Sequence, residues 1–261
     1  MAQLIATKLS YKFGVTEILK GIDFTLEEGK VISVVGPSGS GKTTLLHLCG
    51  DLLEVVDGKV ENDFESQAFA FQDARLLPWQ TALDNIAFGL KGQGVSKKIR
   101  YNLAREMAVR LGLDKDDLTK FPKDLSGGMR QRVAFARALV IEPTLMFLDE
   151  PFSALDIGLK QELQHLLIDL VVEKNLAIFF ITHDLSEAIQ LSDEIIVLDA
   201  DPGRIVKRVV LDKARHERDE SYIFNTTREL MQDAQIIETF ELNFTKKQPK
   251  SVKKYPRGSH E

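Results

Sequence analysis

The feature that most constrains this chain is a glycine-rich segment between an apolar run and a leucine-rich run. Residues 31–35 read VISVV, which is typical of a buried strand. Residues 36–43 read GPSGSGKT and match the pattern G-x-x-x-x-G-K-[ST], and leucines follow as in a helix. Glycine allows backbone N–H groups to turn toward phosphate oxygens, and a helix N-terminus attracts negative charge. The segment therefore predicts a nucleotide-phosphate site.

The residue types in this loop have separate chemical uses. Lys42 can reach the β- and γ-phosphates of a nucleotide, and the hydroxyl of Thr43 can ligate Mg²⁺. The residues predicted to bind nucleotide here are Gly36, Pro37, Ser38, Gly39, Ser40, Gly41, Lys42, Thr43 and Thr44. A structural glycine-rich turn is the alternative, and the strand and helix patterns on either side argue against it.

The composition narrows the classes of protein to which this chain could belong. The 261 residues carry a net charge of −5, so no basic field predicts nucleic-acid binding. A solitary cysteine, Cys49, excludes a disulfide and is expected in the core. We expect no signal peptide at the N-terminus, and the apolar runs are far shorter than the ~20 residues that span a bilayer. We therefore expect a soluble chain whose membrane role, if any, depends on a partner.

Strand and helix patterns alternate along the chain and predict a parallel α/β sheet. The alternation at residues 22–26 predicts an antiparallel, half-buried strand, and the Asp57-Gly58 pair predicts a turn. Other strands are predicted at 4–8, 31–35, 68–71, 145–148, 177–181, 195–198 and 205–210, and helices at 84–112, 126–140 and 159–174. Beyond residue 212 we expect a polar helical segment.

Two acidic residues follow the predicted strand 145–148. Side chains alternate in direction along a strand, so Asp149 and Glu150 are expected to have different tasks. Asp149 is predicted to hold Mg²⁺ beside the phosphate loop, and Glu150 to orient or deprotonate the attacking water. A solvated turn at the strand end is the alternative.

A second glycine-rich turn, LSGGM at residues 125–129, precedes the helix predicted at 126–140. Ser126, Gly127 and Gly128 would present N–H groups at a helix N-terminus, which is a second anion site. Taken alone, the turn would be read as a simple helix cap. The acidic pair that begins 23 residues later (149 − 126) favours the anion site.

In combination these motifs resemble the ATP-binding cassette (ABC) family of transporter ATPases. Residues 36–43 resemble the Walker A motif, 125–129 the signature and 145–150 the Walker B motif. Gln72 is similar to the Q-loop glutamine, residues 153–156 to the D-loop with Asp156, and His183 to the switch histidine. Phe13 resembles the aromatic residue that stacks on adenine, with Tyr11 as the second candidate. The resemblance covers about residues 3–212.

The resemblance is closer to the nitrate, sulfonate and taurine group of bacterial importers. Residues 71–79, FQDARLLPW, carry it, as does Met129, where many relatives have glutamine. The segment 72–79 is expected to face the membrane partner through Leu76, Leu77 and Trp79. Packing of these side chains against the helical subdomain is the alternative.

The resemblance implies an α/β P-loop NTPase fold with a mostly parallel core sheet, an antiparallel β subdomain and an inserted helical subdomain at about 84–142. The ATPase domain is expected over residues 1–212. A helical extension and basic tail are expected over 213–261, the tail containing Lys246, Lys247, Lys250, Lys253, Lys254 and Arg257.

The implied activity is ATP hydrolysis coupled to import, with ATP and Mg²⁺ bound. Glu150, His183, Lys42 and Gln72 are the implied catalytic residues, and Thr43, Gln72 and Asp149 the implied metal ligands. The implied partners are integral-membrane permease subunits, a second copy in a head-to-tail homodimer, and an extracytoplasmic solute-binding protein. The chain would lie peripherally on the cytoplasmic side of the membrane.

An ABC-type ATPase that acts on nucleic acid or in DNA repair is the alternative. Such proteins carry long coiled-coil insertions between the Walker A and signature motifs. Here Lys42 and Ser126 are 84 positions apart (126 − 42), and heptad repeats are absent from the sequence between them. An ordinary P-loop GTPase or kinase would lack the signature and D-loop.

Overall fold

The computed structural model describes residues 1–153 and 155–240. The strands are β1 (Gln3–Phe13), β2 (Thr16–Glu27), β3 (Val31–Val35), β4 (Asp57–Asn62), β5 (Gln67–Ala70), β6 (Leu145–Asp149), β7 (Ala177–Ile181), β8 (Glu194–Leu198) and β9 (Ile205–Val210). The helices are α1 (Lys42–Cys49), α2 (Ala82–Gly92), α3 (Lys97–Arg110), α4 (Gly127–Leu139), α5 (Ile157–Lys174), α6 (Leu185–Leu191), α7 (Glu220–Met231) and α8 (Ala234–Thr239).

A six-stranded sheet forms the centre of the molecule, in the order β5-β6-β7-β3-β8-β9. The pairs from β5 to β8 are parallel, and β9 is antiparallel to β8. Every residue of β3 and β7 is buried, because helices or the second sheet cover both faces. The continuous apolar runs therefore predicted these central strands correctly.

A second, antiparallel sheet has the order β2-β1-β4. Its strand β2 buries alternate residues and pairs antiparallel to β1, which confirms the prediction for residues 22–26. The turn predicted at Asp57-Gly58 was wrong, since β4 begins at Asp57 and pairs with β1. Val60 is the half-buried side chain of this otherwise exposed strand, so the sequence carries little apolar signal for it.

Stacked aromatic rings join the two sheets. Phe179 of β7 stacks on Phe24 of β2, with ring centroids 5.0 Å apart. Phe147 of β6 contacts Phe179 edge-on at 6.1 Å and stacks on Phe69 at 5.0 Å. These rings, together with Cys49 at the end of α1, lie in one apolar cluster between the sheets. The cluster supports the strand ends on which the candidate site is built.

The helices α2, α3 and α4 pack together beside β5. The single helix predicted over residues 84–112 was wrong, because residues 93–96 separate α2 from α3. Gly94 in this connection has φ +76°, a conformation that breaks a right-handed helix. The four-residue repeat that includes Ile99 and Leu103 indicated a helix correctly, although α3 buries Ala104 and Ala108 instead.

The segment after β9 packs back on the main sheet. Both α7 and α8 confirm the helical prediction for this polar region, and Leu230 and Ile236 are buried beside α6 and β8. The Arg218 guanidinium donates to the carbonyl oxygens of Ile189 and Ser192 at the end of α6, at 2.6 Å each. The predicted basic tail lies outside the described residues. Across 1–153 and 155–240, no helix is both long and apolar enough to cross a membrane.

Removal of the Phe179 ring tests the contact between the sheets. We expect Phe179→Ala to lower the free energy of unfolding by about 3–5 kcal/mol, because it leaves a cavity among packed rings. Phe224→Ala makes the same change at an exposed ring and should shift stability by less than about 0.5 kcal/mol. Urea unfolding followed by circular dichroism measures both, and similar losses in the two variants would contradict the prediction.

Candidate functional site

The predicted site residues follow the carboxyl ends of four neighbouring parallel strands. Gln72 follows β5, Asp149 ends β6 and Glu150 follows it, His183 follows β7, and the loop 36–43 follows β3. Because these strands are adjacent and parallel, their ends lie at one edge of the sheet. The structure therefore brings together residues that are more than 140 positions apart in the chain.

The loop 36–43 turns tightly between β3 and α1. Gly41 has φ +85°, a left-handed conformation that favours glycine. A Cβ on Gly36 would lie 2.4 Å from the carbonyl oxygen of Leu198 and 2.9 Å from Ser40 Oγ. The close approach of β8 therefore requires glycine at position 36, and the loop backbone is held against the sheet.

The Lys42 side chain folds over its own loop. Its Nζ donates to the carbonyl oxygens of Gly36 and Pro37, at 2.8 Å each. Burial lowers the pKa of Lys42, and the nearby carboxylates of Glu150 and Asp149 oppose this shift. The ammonium group is thus positioned where a phosphate oxygen can replace the carbonyl oxygens.

Two oxygen donors that suit a magnesium ion converge beside the loop. Thr43 Oγ1 lies 3.5 Å from Asp149 Oδ1. Burial raises the pKa of Asp149, and the negative charge of Glu150 raises it further, so the site favours an added cation. Hydroxyl and carboxylate oxygens are ligands that Mg²⁺ prefers, and nucleotide phosphates with water commonly complete its shell. No group of three His, Cys, Asp or Glu residues suited to a metal occurs in the described chain.

Glu150 occupies a strained backbone position. Its φ is +45°, which a non-glycine residue rarely adopts. The Glu150 N–H donates to the carbonyl oxygen of Ile181 at 3.0 Å, and its own carbonyl accepts from Ser153 Oγ at 3.0 Å. The carboxylate points toward His183, whose Nδ1 lies 3.4 Å from Glu150 Oε2. Such strain is concentrated at functional sites because the surrounding structure must maintain it.

The turn that carries His183 leads into α6, a helix absent from the elements predicted from the sequence. The Asp184 carboxylate caps α6 by accepting from the N–H groups of Ser186 and Glu187. An Asp followed three residues later by a Glu is a known pattern for a helix start, so a signal was present. The His183 ring itself is 65% exposed.

The backbone after Gln72 is held by side chains of α4. Gln131 Nε2 donates to the Gln72 carbonyl oxygen, and Arg137 donates to the carbonyl oxygens of Ala74 and Arg75 at 2.9 Å each. No sequence motif indicates either Gln131 or Arg137. Only tertiary contacts identify them, since each reaches a backbone about sixty positions away.

The remaining predicted residues lie on β1 and at the starts of α4 and α5. Ser126 caps α4 through its Oγ, which accepts from the Met129 N–H at 3.2 Å, and Gly127 and Gly128 begin this helix. Asp156 caps α5, and Phe13 is exposed at the end of β1. Ala154 of the predicted D-loop lies outside the described residues. Within the described ranges, no hydrogen bond or ion pair joins these groups to the loop.

The family description that matches the sequence is "ABC transporter", over residues 19–153. The chain belongs to the ABC transporter ATPase family. This ABC ATPase is 39% identical over 210 residues to the taurine import ATP-binding protein TauB of Escherichia coli O157:H7, covering 78% of this chain and 82% of TauB. It is also 39% identical over 228 residues to the aliphatic sulfonates import ATP-binding protein SsuB of Corynebacterium glutamicum, covering 87% of this chain and 92% of SsuB.

Solved structures agree with the fold of this ABC ATPase. A dimeric ATP-binding cassette, MJ0796, in a post-hydrolysis state with ADP and Pi, matches with a TM-score of 0.73 and 30% identity. The match covers 80% of this chain and 99% of that cassette. A putative metal-chelate type ABC transporter in an inward-facing conformation gives a TM-score of 0.70 and 25% identity, over 87% and 90% of the two chains. The predicted fold class and family are confirmed.

The contact of Gly36 with β8 gives a direct test of the phosphate loop. We expect Gly36→Ala to weaken ATP binding at least about tenfold, because the added Cβ meets backbone and displaces the loop. Gly92→Ala is the matched control, since a Cβ there meets nothing within 4 Å. Calorimetric titration with ATP measures both variants, and equal affinities would contradict the prediction.

Proposed function

We propose that this ABC ATPase hydrolyses ATP to drive a membrane importer for small sulfonates such as taurine or an alkanesulfonate. The observation that carries this proposal is 39% identity with taurine and aliphatic sulfonate import ATP-binding proteins over most of each chain. The alternative function on nucleic acid gains no support, because the relatives are import proteins and the chain is acidic. In this proposal the solute itself contacts other subunits.

Hydrolysis is assigned to side chains at the sheet edge. Lys42 neutralises charge on the β- and γ-phosphates, and the exposed ring of Phe13 stacks on the adenine. Glu150 accepts a proton from the water that attacks the γ-phosphorus, while the bond from that phosphorus to the leaving oxygen of ADP breaks. His183 contacts the γ-phosphate, and its 3.4 Å distance from Glu150 supports a joint role.

Magnesium is proposed to bind between Thr43 and Asp149, with Gln72 as the third protein ligand. The proximity of the hydroxyl to a partly buried carboxylate supports the first two assignments. The bound ion would supply positive charge to the phosphate oxygens. Gln72 would respond to the bound ion, and the hydrogen bond from Gln131 to its carbonyl oxygen would pass a resulting movement on to α4.

Two copies of the chain are proposed to form one functional unit. Ser126, Gly127 and Gly128 lie at the start of α4, where backbone N–H groups would meet the γ-phosphate bound by a second copy. Asp156 would lie near the same contact. The dimeric state of the similar cassette MJ0796 supports this arrangement. A γ-phosphate bound between two N–H-rich turns, one from each copy, favours closure of the dimer. Loss of that phosphate favours its opening.

Permease subunits are proposed to bind at the loop after Gln72, and thereby to hold this ABC ATPase at the cytoplasmic face of the membrane. Trp79 is 71% exposed, whereas Leu76 packs against the apolar core to which α2, α3 and α4 contribute. The Leu77 N–H donates to the buried Asn85 Oδ1 at 2.8 Å. This bond fixes the loop while the Trp79 indole stays exposed to solvent. An extracytoplasmic solute-binding protein would deliver the sulfonate to those subunits.

The proposed base can be tested by ATP-dependent dimerisation. We expect Glu150→Gln to keep ATP affinity and slow turnover by roughly 10²-fold or more, because the amide does not accept the proton. Light scattering should then show a dimer with Mg²⁺-ATP and a monomer with ADP.

The matched control for this test is Glu142→Gln, which makes the same change at an exposed carboxylate. Its turnover should equal that of the unmodified protein. Unchanged turnover in Glu150→Gln would refute the assignment of the base, and a monomer with both nucleotides would refute the composite site.

Replacement of the exposed indole tests the permease contact. Trp79→Ala should uncouple transport in vesicles that contain the permease, while the ATPase activity of the isolated chain is retained, because the indole is largely exposed and has no assigned role in nucleotide binding. Phe224→Ala, at an exposed ring on α7, should affect neither activity. An equal loss of transport and isolated ATPase activity would favour a purely internal role for the loop.

A further inference from the structure

A lysine in the first turns of α5 connects two parts of the proposed catalytic site. Asp156 caps this helix, and the Lys160 N–H donates to the Asp156 carbonyl oxygen at 2.9 Å. The Lys160 side chain extends from α5 toward the turn 182–184, which carries His183. Lys160 and this turn are more than twenty positions apart in the sequence.

Lys160 is held by two carboxylates on either side of the α6 start. Its Nζ lies 2.7 Å from Glu187 Oε1 and 3.1 Å from Asp184 Oδ2. The Glu187 side chain is only 6% exposed, so this is a substantially buried ion pair. A buried charge pair resists displacement, because removing one partner leaves the other without compensation.

A threonine closes these contacts into a ring. Thr182 Oγ1 donates to Glu187 Oε2 and accepts from the Asp184 N–H at 3.0 Å. The ring therefore runs through Lys160, Asp184, Thr182 and Glu187. His183 is the residue between Thr182 and Asp184, so the ring fixes the backbone on both sides of it.

The charges in the ring favour its persistence at neutral pH. Burial opposes the charged form of Lys160, but its hydrogen bonds to Glu187 and Asp184 and the attraction of both carboxylates raise its pKa. Burial also opposes the charged form of Asp184. The hydrogen bond from Lys160 and its positive charge have the larger effect, so the pKa of Asp184 is lowered. Both groups are therefore ionised under working conditions.

His183 has little else to hold its ring. Its side chain is mostly exposed, and within 1–153 and 155–240 its polar side-chain contact is with Glu150 alone. Its position consequently depends on the backbone of the turn. A displacement of about 1 Å at a reacting group can reduce a rate substantially.

We propose that Lys160 is a positioning residue that ties the first turns of α5 to the turn 182–184 and thereby holds His183 against Glu150. The proposal rests on the catalytic roles given above to Glu150 and His183. Lys160 would also connect two proposed contacts. One is the contact of Asp156 with the second copy, and the other is the contact of His183 with the γ-phosphate. Movement of the α5 start would shift His183 in the same chain.

The test compares Lys160→Met, Lys160→Arg and Lys174→Met in the full chain by steady-state ATP hydrolysis. We expect Lys160→Met to lower kcat about tenfold with KM for ATP within about twofold, because binding by the phosphate loop is untouched. Lys160→Arg should restore most of the rate, since it keeps the charge. Lys174, on the last turn of the same helix, forms an exposed pair with Glu142, and such pairs contribute little, so Lys174→Met should match the unmodified protein.

A double-mutant cycle separates positioning from general stability. If Lys160 acts through His183, Lys160→Met should cause no further loss of kcat in a His183→Ala background. A full tenfold loss in that background would overturn the proposal, as would a parallel rise in KM or failure of Lys160→Arg to restore activity. If His183→Ala alone leaves kcat unchanged, the catalytic role of His183 fails, and the positioning proposal fails with it.

Asp184→Asn provides a second variant in case Lys160→Met does not fold. Asparagine is as good a helix cap as aspartate, so the substitution removes one charge of the ring and keeps the start of α6. Its kcat should fall about threefold, and the loss should again be absent in the His183→Ala background. An unchanged kcat would overturn the proposal.

Discussion

The register of three parallel strands is the constraint on which the site depends. Asp149 of β6 lies opposite Ile181 of β7, and Ile181 lies opposite Val34 of β3, so the three strands end at the same level. The phosphate loop, the acidic pair and the histidine turn all begin there. A shift of one residue in either pairing would move these groups out of register and reverse the side-chain directions in the shifted strand. The packed rings of Phe147 and Phe179 oppose such a shift, because they interlock with neighbours on adjacent strands.

Much of this architecture could be predicted from the sequence because the central strands are buried on both faces. The apolar runs of β3, β6 and β7 and the motif at residues 36–43 are local signals, and together they predicted the shared sheet edge at which the structure brings the candidate residues together. Strand β4 lacked such a signal, since its pairing with β1 is through backbone groups and its side chains are mostly exposed. The break between α2 and α3 was missed because the apolar periodicity continues on both sides of it.

The supporting residues of the site were harder to predict than the residues they support. Gln131 and Arg137 act on carbonyl oxygens of the Gln72 segment, and a backbone acceptor leaves no trace in a sequence motif. Lys160 has two acidic partners that become neighbours only when α5 packs near the start of α6. Motifs therefore indicated which groups could meet a nucleotide, whereas three-dimensional packing shows what holds those groups in place.

The burial of Cys49 has a practical consequence for testing the proposed opening and closing of two copies of this ABC ATPase. The thiol is the sole cysteine of the chain, and burial raises its pKa so far that the reactive thiolate is suppressed. Maleimide dyes would therefore react with cysteines introduced on the surface and leave the native thiol unlabelled. Pairs of such dyes on α5 and α4 could act as a spectroscopic ruler for opening and closing, without first altering the apolar cluster between the two sheets.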